Sequence, residues 1–94
     1  MRITVRAFAT IREAIGTGYA EVLLENGSDV RKLLEALARK FGEAFQRQVL
    51  LSEGKLAPYV KLLVNGRDIE YLDGMETRLK DGDEVAIIPP VAGG

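Results

Sequence analysis

Asp83-Glu84-Val85-Ala86-Ile87-Ile88-Pro89-Pro90-Val91-Ala92-Gly93-Gly94 closes the chain. Asp83 to Ile88 reads as a strand that runs directly into a proline pair. Each proline fixes φ near −65°, and Pro90 pushes Pro89 toward extended geometry. The two final glycines carry no Cβ and reach φ and ψ values closed to other residues. The expected shape is a stiff stalk with a thin, mobile tip, suited to delivering a terminal carboxylate into another protein's active site. A glycine pair is also what a fraying chain end carries. The prolines, and the strand ahead of them, favour the delivered tail.

Working outward, Asp81-Gly82 makes a turn before this strand. Farther upstream, Val60, Leu62 and Val64 alternate with Lys61 and Leu63, the period of a half-buried strand. Asn65-Gly66 then supplies a two-residue hairpin turn, since both residues tolerate positive φ. Arg67 to Ile69 returns as a short strand, and Tyr71 to Leu79 is irregular with a turn at Asp73-Gly74. At the other end of the chain, Ile3, Val5 and Ala7 alternate with Thr4, Arg6 and Phe8. Ala9 to Ile15 is a short helix-like or irregular segment ended by Gly16 and Gly18. Tyr19 to Leu24 follows and pairs most simply with the first strand as an antiparallel hairpin.

Between the two strand pairs lies the main helix. Val30, Leu33, Leu34, Leu37, Ala38 and Phe41 share one face at helical spacing, and Arg31, Lys32, Glu35, Arg39 and Lys40 share the other. Ser28 is the expected N-cap, with Asp29 in the first turn. Gly42 is the expected left-handed residue at the end, and Glu35 and Arg39 are placed to pair. Glu43 to Leu51 can form a weaker helix, broken at Ser52-Glu53-Gly54, with Pro58 closing the connection.

This order predicts an α+β protein of the β-grasp (ubiquitin-like) fold, a mixed sheet with one main helix packed across it. The first and last strands lie parallel in the middle. Residues 1–88 form the domain, and residues 89–94 form a flexible Gly-Gly tail projecting from one edge of the sheet.

Composition removes several chemistries. The chain has no cysteine and no histidine. It therefore offers no disulfide, no thiolate nucleophile, no Cys/His zinc site and no imidazole base. Covalent sulfur, if the protein handles it, belongs on the terminal carboxyl. Thirteen basic residues balance fourteen acidic ones for a net charge of −1, so the broad basic field of a nucleic-acid binder is missing. No apolar run approaches the roughly 20 residues of a membrane helix, and Met1-Arg2-Ile3-Thr4 lacks the layout of a secretory signal. The expectation is a cytoplasmic protein that binds neither nucleic acid nor membrane. Asp81, Asp83 and Glu84 cluster around Gly82. They read as a polar turn in preference to a metal site.

The chain resembles the small subunit of molybdopterin synthase, within the ubiquitin-like sulfur carriers. The likeness runs over essentially the full length. It is most specific from Asp81 to Gly94, with Val64-Asn65-Gly66 and Phe8-Ala9…Arg12-Glu13 in support. The resemblance implies a mechanism. An E1-like adenylating enzyme uses ATP and Mg²⁺ to adenylate Gly94, and a sulfur donor converts the acyl-adenylate to a thiocarboxylate. The large subunit of molybdopterin synthase then takes the tail and transfers the sulfur to the dithiolene of a pterin. On this reading Gly94 is the reacting residue. Gly93, Ala92 and Val91 fill the partner's channel, Ile88 and Ile69 contribute to a docking patch, and the carrier binds no metal or cofactor of its own. Lys61, Arg67 and Lys80 are candidates for rim salt bridges.

The stretch from Glu43 to Tyr59 is longer than in compact members and resembles archaeal forms, some of which look like modifiers joined to lysines. Conjugation of Gly94 to target-protein lysines is therefore the alternative. An interaction-only module with an inert tail is a third reading. A thiazole-synthesis carrier is a fourth, disfavoured by the Pro-Pro-Val-Ala lead-in.

Overall fold

The computed structural model describes residues 1–51 and 54–90. Eight elements follow in order: β1 (Arg2–Ala7), α1 (Ala9–Ile15), β2 (Tyr19–Leu23), α2 (Val30–Phe41), α3 (Glu43–Val49), β3 (Lys61–Val64), β4 (Arg67–Asp68) and β5 (Glu84–Ile88). Two short 3₁₀ turns, Ile69–Tyr71 and Gly74–Glu76, lie between β4 and β5. The strands form one sheet in the order β2-β1-β5-β3-β4. β1 and β5 run parallel at its centre, and the remaining pairs are antiparallel. This is the expected β-grasp sheet.

Register explains why one face is dry. Val5 stands beside Val85, Ala7 beside Ile87, Ile87 beside Leu62, and Val85 beside Val64. Residues opposite one another share a face, so one side of the sheet is a continuous apolar surface. α2 covers it with Val30, Leu33, Leu34 and Leu37, and Ile11 and Ile15 of α1 and Phe45 and Val49 of α3 complete the core. Three helices therefore share the layer that the sequence assigns mainly to one. The opposite face carries Arg2, Thr4, Arg6, Glu21, Glu84, Ala86, Ile88, Lys61 and Leu63, and stays open to solvent.

Three local expectations shift. The N-cap of α2 is Asp29, whose carboxylate accepts the Lys32 N–H at 3.0 Å, and not Ser28. The reason is tertiary. The Ser28 carbonyl accepts from Leu79 N–H and Val30 N–H donates to the Thr77 carbonyl, which holds residue 29 extended and starts the helix one position later. Gly42 has the expected positive φ of 75°, but its ψ of −155° lies outside the left-handed helical region. That geometry lets one glycine end α2 and open α3: its N–H meets the Ala38 carbonyl and its carbonyl meets Gln46 N–H. Glu35 pairs with Lys32 at 3.9 Å and not with Arg39.

Asp29→Ala is expected to lower unfolding free energy by about 1 kcal/mol, whereas Ser28→Ala stays within about 0.5 kcal/mol of the parent. Urea denaturation of the two variants, read by the midpoint at constant m-value, checks this.

Candidate functional site at the root of the tail

The site grows from β5. Its backbone is paired on both sides, to β1 and to β3, and Val85 and Ile87 are fully buried. Its start is also fastened. Asn65, at φ 50° in the hairpin turn with Gly66 at φ 84°, donates from Nδ2 to Asp83 Oδ1 at 2.9 Å. The Asn65 Oδ1 accepts the Glu84 N–H at 2.9 Å. Asp83 Oδ2 accepts Lys80 N–H at 2.8 Å, and Asp81 Oδ1 accepts Arg2 N–H at 2.7 Å. Glu84 faces Arg6 at 3.8 Å. Two of these three carboxylates tie backbone to backbone and the third closes an ion pair. Among the described residues, no group of three or more acidic, histidine or cysteine side chains is placed to hold a metal.

β5 ends where pairing ends. Ile88 meets Lys61, and Pro89, which has no N–H to donate, follows. Pro89 is buried while Pro90 is exposed. Burial of the chain thus runs through Pro89. The chain leaves from the end of a central strand, not from an edge strand. Beside this exit stand two exposed aromatics: Phe8, just past β1, and Tyr59, just before β3. Ile88 is half-buried on the open face. Ile69 is only 4% exposed and belongs to the core. The Asp68 carboxylate caps the Glu70 N–H at 2.9 Å and turns the chain into the 3₁₀ segment, so the expected strand to Ile69 stops at Asp68. Ile69 therefore offers almost no surface to a docking partner. Val91, Ala92, Gly93 and Gly94 lie outside the described residues.

Charge on the open face is largely self-satisfied. Arg2 pairs with Glu21 at 3.3 Å and Lys61 with Asp68 at 3.3 Å, so Lys61 already has a partner within the fold. The Glu70 backbone N–H, above all, holds the Asp68 carboxyl below the usual carboxylate range; burial opposes it, and the hydrogen bond and charge of Lys61 add to the lowering. The apolar and aromatic side chains left exposed or half-buried at the root are Phe8, Tyr59 and Ile88. Phe8 and Tyr59 escaped the candidate list: Phe8 enters the sequence reading only as an outward position of the first strand and as part of a family motif, and neither period nor motif marks Tyr59. The signal lay in their position, at the two strand ends flanking the exit.

The ThiS family profile matches residues 5–94. The chain belongs to the ThiS family. This ThiS-family chain is 38% identical over 94 residues, all of both proteins, to small archaeal modifier protein 3 of Haloferax volcanii. It is 34% identical to the molybdopterin synthase sulfur carrier subunit of Mycobacterium tuberculosis, over all of this chain and 99% of that one. The crystal structure of SAMP1 from Haloferax volcanii superposes with a TM-score of 0.89 at 26% identity, covering both chains in full. The ThiS family thus joins ubiquitin-like sulfur carriers and modifiers, and this fold is theirs. Among the described residues, no helix is long and apolar enough to cross a membrane.

The lowered Asp68 value has a pH consequence. A carboxyl whose folded-state pKa lies below its unfolded one stabilises the fold where it is ionised, and that contribution is lost as pH falls through the lowered value. Between about pH 7 and about pH 3, the melting temperature of Asp68→Asn is therefore expected to fall less steeply than that of the parent. Thermal scans by circular dichroism across that range measure the difference.

Proposed function

We propose that this chain is a sulfur carrier that works through the carboxylate of Gly94, and that it serves as the small subunit of molybdopterin synthase. The observation that carries the reading is the run of β5, paired on both sides and buried, straight into a gripped Pro89 and an exposed Pro90. Force or torque on the tail is resisted by the centre of the sheet, so the four residues beyond Pro90 can be threaded without disturbing the body.

The chemistry needs little more. A carboxylate is a poor electrophile because its oxygen leaves poorly. An adenylating partner binds ATP and Mg²⁺, and a Gly94 carboxylate oxygen attacks the α-phosphorus as pyrophosphate departs. The acyl-adenylate now has AMP as a good leaving group. A donor at the sulfide oxidation level attacks the carbonyl carbon, the bond to the AMP oxygen breaks, and a thiocarboxylate remains. Its sulfur is the nucleophile delivered to the pterin held by the large synthase subunit. The carrier contributes position and slenderness. A Cβ at Gly93 would widen the tail where the slot closes around it, and Ala92 and Val91 supply small apolar contacts. Phe8 and Ile88, beside the exit, fit a docking surface for the same partners. Relatedness to the mycobacterial synthase subunit supports this acceptor.

A second reading is favoured by the full-length likeness to small archaeal modifier protein 3. After the same adenylation, a target lysine amine attacks the carbonyl carbon and an isopeptide bond forms, with AMP leaving.

Co-expression with the cognate adenylating enzyme and a sulfur donor is expected to shift the intact mass by one oxygen-to-sulfur exchange, mapped to Gly94. Gly93→Val is expected to abolish that shift without moving the melting temperature. Isopeptide-linked products with no sulfur exchange would replace the carrier reading by the modifier one. Neither product would overturn both.

A further inference from the structure

We infer that Tyr59 is a docking residue for the adenylating enzyme, its ring seated against an apolar rim around the slot that takes the tail. This inference rests on the proposed activation of Gly94. Its first support is a conflict between residue and backbone. Val60 N–H donates to the Ala57 carbonyl at 3.3 Å, closing a four-residue turn with Pro58 and Tyr59 at its centre. Tyr59 has φ 68°. Proline followed by a residue of positive φ is the pattern of a type II turn, in which the second central position asks for glycine or asparagine. An aromatic residue there is strained.

The fold gains nothing in return for that strain. Tyr59 is 83% exposed, and among the described residues its side chain makes no hydrogen bond and no ring contact. A side chain kept at a backbone cost, with no partner inside its own molecule, has its partner outside.

Position identifies that partner. β3 and β5 pair in register through Lys61 and Ile88. Tyr59 and Pro90 each lie two residues beyond that pair, so the turn and the start of the tail are at the same end of the sheet. Gly94 lies four residues beyond Pro90, and four extended residues span at most about 14 Å. An enzyme that adenylates the Gly94 carboxylate must therefore bring its own surface within about 14 Å of Pro90. The rim of its slot meets the collar around the tail, and Tyr59 is the most exposed large apolar side chain there. Tyrosine brings a large contact area and few rotatable bonds, the properties of an interface anchor.

The test is ATP–pyrophosphate exchange by the adenylating enzyme from the same genome, with the full-length carrier as the varied substrate. Tyr59→Gly and Tyr59→Asn both suit the positive φ, so neither variant is expected to lose thermal stability. Glycine's gain is offset by its looser unfolded chain, and asparagine carries less of that cost. Docking through the ring predicts a KM for the carrier raised about tenfold or more in both variants, an unchanged kcat, and a parental KM in Tyr59→Phe. A KM within about twofold of the parent in both variants overturns the inference. So does a loss of melting temperature that accounts for the change. Absence of exchange with the unmodified carrier is a different result, because it removes the Gly94 reading itself.

Discussion

The parallel pairing of β1 with β5 is the constraint on which the molecule depends. It joins the first strand to the last and places Val5, Val85 and Ile87, all fully buried, in one apolar row under α2. Because β3 pairs on the other side, β5 has no free edge. Its backbone groups are satisfied by neighbours, and its inward side chains are locked by close packing. The tail inherits that rigidity at its root. Pro89 remains in the body, and Pro90 is the first exposed residue after it.

That arrangement separates two jobs in the sequence. The buried face of the sheet and the three helices hold the fold. The open face is laced with ion pairs, Arg2–Glu21, Arg6–Glu84 and Lys61–Asp68. Exposed pairs of this kind contribute little to stability, but they quench the charge of the face among its own groups. Phe8, Ile88 and Tyr59 at the exit carry no charge, which suits the contact proposed with an enzyme that encloses the tail. Placement, in this view, is the carrier's share of the chemistry, and the reacting group needs no neighbouring acid or base from its own chain.

Much of this was legible in the residues. Period-two alternation located β1 and β3, the Asn65-Gly66 pair located the hairpin between β3 and β4, and the apolar stripe from Val30 to Phe41 located α2. The proline-glycine tail and the missing cysteine and histidine pointed to chemistry at a terminus. What escaped was set by contacts distant in sequence. Ser28 looked like the cap because nothing local reveals its bond to Leu79. Ile69 looked like a strand residue because the bend comes from the Asp68 carboxylate reaching Glu70. The burial of Pro89 shows only in the folded chain. Pro58 announced a turn, but only the backbone shows that Tyr59 occupies its left-handed position. The glycines of the tail were read from their place in the sequence and lie outside the described residues.

The central claim is that the last carbonyl carbon of this chain is the atom that receives cargo or target. The most direct measurement is mass spectrometry of the C-terminal peptide isolated from cells that express the protein from its own gene. The account predicts that a fraction of that peptide carries sulfur in place of a Gly94 carboxylate oxygen, or an amide bond from Gly94 to a lysine. A C-terminal peptide found solely as the free acid, in cells actively using the protein, would contradict it.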